Sequence, residues 1–185
     1  NEMIQRCEVG KALNATEVDE AFNAARRRGN EGLIAKDPAS LYSPGRRGKQ
    51  WLKLKKAMPT LDVVVVKAQQ GHGKRSHVLS DYTFSVRDEE TGELKVIGKA
   101  YSGLTDEEIE ELTVHFRERT IEKKRNVHTV EPDVILEIAF DSINPSKRHN
   151  SGLALRFPRI KAIRRDKTPE DIDTLGYARK LAGVQ

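Results

Sequence analysis

The chain has 185 residues, of which 37% are hydrophobic and 33% charged, enough for one large or two small domains with a modest core. Its net charge of +5 at pH 7 favours polyanionic partners, and the segment 46–56 carries six basic residues and no acid. The single cysteine, Cys7, excludes an internal disulfide and a zinc site made of thiolates. The apolar run 63–66 is too short to span a bilayer, so we expect no membrane association.

The amino-terminal third of the chain predicts few elements. Apolar residues at helical spacing indicate a helix that begins near Thr16, its expected N-cap, and ends at Gly29. A short strand is expected over 31–36, and the prolines and glycines of 37–48 are typical of a loop. These elements are too few to bury a good core alone, which indicates the end of a larger domain.

A second strand is predicted over 51–55, where apolar and basic residues alternate. Because successive side chains of a strand point to opposite faces, Lys53 and Lys55 are expected to share one face. Residues 56–60, which include Pro59, are expected to form a hinge.

The rest of the chain predicts a small β-barrel. Thr105 and Glu108 have the spacing of a capping box, so a helix is expected from there to about residue 116. Alternating apolar residues predict strands over 61–67, 82–86, 94–98, 134–140 and 153–163. This is the element order of the OB-fold, a five-stranded, partly open Greek-key barrel. The expected fold class is mainly β (α+β), an OB-fold barrel with a helix between strands 3 and 4, preceded by a partial domain.

Three charged segments, 31–36, 51–55 and 156–167, occur in this order with the predicted barrel between the second and third. Together they resemble motifs IV, V and VI of the ATP-dependent DNA ligases, which belong to the nucleotidyltransferase superfamily. The family's nucleophilic lysine lies in a Lys-x-Asp-Gly motif, which does not occur in this sequence. The resemblance therefore implies the carboxyl-terminal part of a ligase: the end of the adenylation domain over 1–58 and the OB-fold domain over 59–185. Such a chain is expected to form no lysine–AMP adduct alone.

The resemblance implies ATP and Mg²⁺ as cofactors and assigns roles to the first two segments. Glu31 would have a metal-linked role, which suits a carboxylate and a hard cation. Lys53 and Lys55 would contact the nucleotide phosphates, and Lys36 could act in the same way. Without the resemblance, Glu31 is a solvated turn acid and the lysines are an exposed basic strand face.

The third segment ends in the Arg-x-Asp-Lys signature of the family. The resemblance implies that Arg164 and Lys167 orient the β- and γ-phosphates of ATP, one as a planar fork and the other as a point charge. The charge of Asp166 predicts that it orients one of these cations. The alternative is a solvated charge run before a terminal helix.

The partner that the resemblance implies is nicked double-stranded DNA. Phe157 could enter the minor groove beside the nick as an apolar wedge, or it could belong to the core. Basic side chains would hold the phosphate backbone without reading sequence. The predicted DNA contacts are Arg46, Arg47, Lys49, Arg156, Phe157 and Arg159.

Two alternatives of other classes stay open from the sequence. One is an OB-fold module that binds nucleic acid without catalysis, and the other is an RNA ligase or a capping-type nucleotidyltransferase. The protein is expected to be a monomer in the cytoplasm (nucleoid) or the nucleus.

Overall fold

The computed structural model describes residues 9–41, 44–45, 48–55 and 58–183. The chain divides into two compact units, Asn1–Ala57 and Met58–Gln185. Within the described ranges, no helix is long and apolar enough to cross a membrane.

The first unit contains helix α1 (Ala15–Arg27) and the antiparallel strands β1 (Gly32–Lys36) and β2 (Trp51–Lys55). Both strands lie where the sequence predicted them. The expected N-cap was wrong, because Asn14 accepts the hydrogen bond from the Glu17 N–H and the helix begins one residue before Thr16.

Gly32 allows β1 and β2 to approach closely at the end that carries Lys55. Its φ is +155°, and a Cβ added there would lie 2.1 Å from the Leu54 carbonyl oxygen and 2.9 Å from the Phe22 ring. Any larger residue would push β2 away from β1.

The second unit contains nine strands and two α-helices within residues 58–183. The helices are α2 (Asp106–Glu118) and α3 (Leu175–Ala182). The strands are β3 (Thr60–Gln70), β4 (Leu79–Arg87), β5 (Leu94–Ala100), β6 (Thr120–Lys124), β7 (Val127–Val130), β8 (Ile135–Ala139), β9 (Ser142–Pro145), β10 (Leu153–Arg156) and β11 (Arg159–Ile163).

The principal sheet has the antiparallel order β11-β8-β3-β4-β5, with α2 between β5 and β8, and the predicted OB-fold class is confirmed. Three details differ from the sequence prediction. A hairpin of β6 and β7 follows α2 and pairs with β3, and the short β9 pairs with β10. The predicted last strand is two strands, because Pro158 has no N–H and Phe157 has a left-handed φ of +51°.

The two ends of the sheet path meet next to α2. The Ile160 N–H of β11 donates to the Ser102 carbonyl, 2.9 Å away, just after β5. Leu155 of β10 lies against Gly98 of β5, where an added Cβ would be 3.6 Å from the Leu155 Cβ. The barrel is therefore held at this seam by backbone contact between segments far apart in sequence.

The core lies between the sheet and one face of α2. Thr105 and Glu108 form the predicted capping box, which fixes the start of α2. The largest aromatic residues of the core are fully buried: Tyr82, Phe84, Phe116 and Phe140. Each such side chain stabilises the fold by about 1.5–3 kcal/mol relative to full exposure.

Gly103→Ala should open the seam. Gly103 has a φ of +118°, and an added Cβ would lie 1.8 Å from the Ile160 carbonyl oxygen, so the backbone must move. We expect the free energy of unfolding to fall by about 3 kcal/mol in urea titrations followed by circular dichroism.

The matched control is Gly152→Ala. Gly152 also has a positive φ, +75°, but no atom lies within 4 Å of the added Cβ. Its cost should be the conformational penalty alone, about 1 kcal/mol. Equal losses in the two variants would contradict the role of close packing at Gly103.

Candidate functional site

In the first unit, a carboxylate and two lysines form an exposed cluster. The Glu31 carboxylate lies 3.1 Å from the Lys55 ammonium and 3.6 Å from that of Lys53. The hydrogen bond from Lys55, aided by the charges of both lysines, lowers the pKa of Glu31. Strand alternation accounts for the geometry, because residues 53 and 55 point to the same face of β2. Two cations thus lie within 3.6 Å of one acid, and all three side chains line a cavity of about 180 Å³.

Lys36 lies on the same face of the β1–β2 ladder but has a different neighbour. It is paired in register with Trp51, and its ammonium stands 4.1 Å from the centre of the Trp51 ring. This cation–π contact fixes the lysine head group while leaving it accessible.

In the second unit, Arg164 lies between two carboxylates. Its Nε and Nη2 atoms donate to Asp166 over 2.9 and 2.7 Å, which is a bidentate pair. These bonds lower the pKa of Asp166 to about 2. The contact expected between Asp166 and a neighbouring cation is therefore present. Arg165 is turned elsewhere and forms a bidentate pair with Glu111 of α2.

Asp62 is the second carboxylate at this site, and the sequence analysis missed it. Its Oδ atoms accept from Arg164 Nη1 over 3.0 and 3.1 Å and from Lys167 Nζ over 2.6 Å. The bond to Asp62 raises the pKa of Lys167. A signal was available, since Asp62 is the one acid within an otherwise apolar stretch, 61–66. A carboxylate there needs partners because the strand is buried.

The backbone holds Asp62 in place. The Asp62 N–H donates to Asp173 Oδ2 over 2.7 Å, and the Asp173 N–H donates back to the Asp62 carbonyl over 2.8 Å. Burial raises the pKa of Asp173. The carboxylate of Asp62 is 12% exposed, whereas Arg164 and Lys167 are each about a quarter exposed. The two cations can be reached from solvent, but the acid that holds them is fixed.

The predicted DNA face contains an exposed aromatic ring. Phe157 is 68% exposed, so the alternative that it belongs to the core was wrong. Its left-handed backbone, between β10 and β11, turns the ring outward instead of continuing the strand. The Arg156 guanidinium lies 4.9 Å from the ring centre.

The other predicted DNA contacts lie in both units or outside the described residues. Arg159 is exposed at the start of β11, and Lys49 is exposed before β2. Arg46 and Arg47 lie outside the described residues.

No cluster of three or more His, Cys, Asp or Glu side chains that could hold a metal occurs in the described part of the chain. Glu31 could supply one carboxylate ligand to a metal, and a Mg²⁺ ion bound there would need further ligands, such as nucleotide phosphates and water.

Two family models cover most of the sequence. The model described as "ATP dependent DNA ligase C terminal region" matches residues 75–167, and "ATP dependent DNA ligase domain" matches residues 1–55. The chain belongs to the ATP-dependent DNA ligase family. Residues 31–55 and 156–167 fall wholly within the matched ranges, whereas Asp62 lies between the two matches.

Named relatives agree with this family assignment. The chain is 63% identical over 174 residues to a probable DNA ligase of Opitutus terrae, covering 94% of this chain and 17% of that protein. It is 52% identical over 178 residues to a probable DNA ligase of Koribacter versatilis, covering 96% of this chain and 31% of that protein. The chain therefore spans less than a third of the length of either relative.

Solved structures share the fold. The ligase domain of Mycobacterium tuberculosis LigD superimposes with a TM-score of 0.55 at 25% identity, over 83% of this chain and 50% of that one. A mycobacterial DNA ligase D complexed with ATP and MES superimposes with a TM-score of 0.50 at 23% identity, over 84% and 50%. These structures place the described ligase chain in the same structural class.

Asp62→Asn should destabilise the second unit. The substitution removes a charge that two cations share, while the shape of the side chain stays the same. We expect the free energy of unfolding to fall by about 2 kcal/mol in urea titrations.

Asp141→Asn is the control for this substitution, because Asp141 is exposed. Its effect should stay within about 0.5 kcal/mol. A loss for Asp62→Asn as small as that of the control would show that the ion cluster contributes nothing to stability.

Proposed function

We propose that this chain is the carboxyl-terminal part of a DNA ligase that seals nicks in duplex DNA with ATP. Residues 1–58 would end the adenylation domain, and residues 59–185 would form the OB-fold domain. In the proposed reaction, a lysine upstream of this chain attacks the α-phosphate of ATP and releases pyrophosphate. AMP then passes to the 5′-phosphate at the nick, and the 3′-hydroxyl displaces AMP to join the strand.

The observation that carries this proposal is the pair of lysines around Glu31. Phosphoryl transfer depends mainly on positioning and on neutralising charge that develops on the phosphoryl oxygens. Lys53 and Lys55 stand side by side on one strand face, within 3.6 Å of the same carboxylate. They are arranged to meet one anionic group together. We assign them to the nucleotide phosphates, with Lys55 as the closer contact and Lys36 as a further candidate.

Glu31 is proposed as the residue of this chain that would hold Mg²⁺. The hydrogen bond from Lys55, with the charges of both lysines, lowers the pKa of Glu31 and favours the ionised form that a metal ligand must have. When bound, Mg²⁺ would neutralise charge on the transferred phosphoryl group. Glu31 also holds the two lysines in place through its ion pairs, and this role needs no metal.

Arg164 and Lys167 are proposed to bind the β- and γ-phosphates of ATP. Both cations already have anionic partners, Asp62 and Asp166, so binding would exchange carboxylate oxygens for phosphate oxygens. The exchange keeps the number of charge-assisted hydrogen bonds similar, because Arg and Lys donate to carboxylates and to phosphates alike. Asp166 would keep the guanidinium plane oriented during the exchange.

Nicked duplex DNA is the proposed partner of the second unit. Arg156 and Arg159 would contact backbone phosphates, and Phe157 would press into the minor groove, where apolar wedges distort the duplex. Lys49 is proposed as a phosphate contact of the first unit. We propose that the protein acts as a monomer in the compartment that holds the DNA, the cytoplasm (nucleoid) or the nucleus.

A non-catalytic nucleic-acid-binding module is the second candidate. The exposed Phe157 and the arginines beside it support binding without requiring chemistry. An RNA ligase would join RNA strands, and a capping-type enzyme would transfer a nucleotide to an RNA end without joining strands. A sealing assay with DNA and RNA strands distinguishes these alternatives from DNA ligation.

The test combines the chain with its full-length parent protein. With labelled ATP and Mg²⁺, the 185-residue chain should acquire no covalent label, because it lacks the Lys-x-Asp-Gly motif. The parent should become labelled and should seal a nick between DNA strands. Label on the chain alone would refute the first expectation. A parent that seals only RNA, or nothing, would refute DNA ligation.

In the parent, Lys55→Ala should lower nick sealing by about a hundredfold or more, because it removes one preorganised charge from the phosphoryl group. The free energy of unfolding should change by less than about 0.5 kcal/mol, because Lys55 is an exposed residue and solvent screens its ion pair with Glu31. Lys11→Ala, at another exposed lysine of the first unit, should seal normally. If Lys55→Ala loses activity only by unfolding, the phosphate role is wrong.

A further inference from the structure

Two aromatic rings stand out on the surface of the second unit. Among the described residues, Tyr101 and Phe157 are the most exposed aromatic side chains, at 69% and 68%. Phe157 is assigned to DNA above, whereas Tyr101, just after β5, has no role in the fold or in the proposed reaction. It is absent from the core clusters, and its hydroxyl makes no hydrogen bond within the described residues. The Tyr101 ring therefore makes no evident contribution to the stability of the fold.

The backbone brings together the two segments that carry these rings. The segment that includes β5 and the segment that includes β10 and β11 run side by side in the same direction. Two hydrogen bonds show the common direction, because later residues of one segment contact later residues of the other. The Val96 N–H donates to Asn150 Oδ1 over 2.7 Å, and the Ile160 N–H donates to the Ser102 carbonyl over 2.9 Å. Between these two points, Gly98 faces Leu155. Tyr101, which follows Gly98 and precedes Ser102, consequently lies alongside residues 156–159.

The charges at this place favour a polyanion. Arg156 covers one side of the Phe157 ring, and Arg159 is exposed at the start of β11. Neither guanidinium forms an ion pair within the described ranges of the chain. Their charge is available to an outside partner, and both lie within two residues of Phe157 in the sequence.

Phe157 also has a strained backbone, and burial of its ring does not compensate for that strain. Its φ of +51° is unfavourable for a bulky residue, and the ring is exposed all the same. Strain of this kind is typical of binding sites. An exposed aromatic pair flanked by arginines matches nucleic acid, in which rings meet sugars and bases while cations meet phosphates.

We propose that Tyr101 is a second aromatic DNA contact, which packs against the duplex next to Phe157 at the nick. The inference rests on the proposed function, because it takes the Phe157 surface as the DNA face. Tyr101 contributes ring contact rather than charge, so it should add affinity without releasing counterions.

Salt dependence distinguishes these two kinds of contact. Removing one phosphate contact lowers the slope of log affinity against log salt by about one, whereas removing a ring leaves the slope unchanged. Tyr101→Ala should therefore weaken binding at every salt concentration by the same factor. Arg159→Gln should both weaken binding and lower the slope.

The experiment measures anisotropy of a fluorescently labelled nicked duplex with the 185-residue chain, across roughly 50 to 200 mM salt. Tyr101→Ala and Tyr101→Gln should each weaken binding about tenfold, and Tyr101→Phe should bind like the unchanged chain. Tyr177→Ala is the control, because Tyr177 is an exposed tyrosine on α3. Circular dichroism confirms that each variant is folded, and the Gln variant serves if the Ala variant is not.

The binding results separate the Tyr101 contact from the proposed DNA role of the second unit. Wild-type affinity in Tyr101→Ala and Tyr101→Gln, with a loss in Phe157→Ala, would overturn the Tyr101 contact and leave the proposed function standing. A reduced salt slope in the Tyr101 variants would also overturn it, because the ring would then act by positioning the arginines. If the unchanged chain binds no nicked duplex, both this inference and the DNA role of this unit fail.

Discussion

The buried carboxylate of Asp62 is the interaction on which the second unit depends most. It lies in the central strand β3 and binds Arg164 and Lys167, which are more than a hundred residues away in sequence. A buried charge must be paired, because desolvation would otherwise cost several kcal/mol. The reciprocal backbone bonds with Asp173 add the segment that leads to α3. One acid therefore fixes both the end of the barrel and the orientation of two cations.

The two units use the same arrangement at different depths. In each, one carboxylate stands between two cations, but Glu31 is 74% exposed and Asp62 only 12%. Solvent screens the first cluster, so its ion pairs are weak and its lysines can change partners at little cost. The second cluster is stronger because less water surrounds it. A phosphate must compete with a fixed carboxylate there, which makes binding at Arg164 and Lys167 more selective for highly charged groups.

The surface around Phe157 follows from how the barrel closes. Because β10 ends at Arg156 and β11 begins at Arg159, the intervening residues leave the sheet and carry the ring outward. The neighbouring segment after β5 runs in the same direction and ends beside them. Closure of the sheet thus leaves Phe157, Arg156 and Arg159 exposed at one edge, while the core behind this edge is apolar.

The sequence alone determined what depends on neighbours within a few residues. The strand period of 51–55 placed Lys53 and Lys55 on one face, and the spacing of Thr105 and Glu108 gave the start of α2. The hairpin of β6 and β7 was missed because its turn contains no glycine or proline, although Arg125 has a φ of +56°.

Only the tertiary structure decided that Asp62 pairs with Arg164 and that Phe157 is exposed. An ion pair between Asp62 of β3 and Arg164, the residue after β11, leaves no periodic signal, since it depends on which strands lie side by side. An aromatic residue among apolar neighbours is compatible with core or surface until the path of the backbone is known. Long-range contacts and solvent exposure are properties of the closed barrel, and local sequence preferences do not encode them individually.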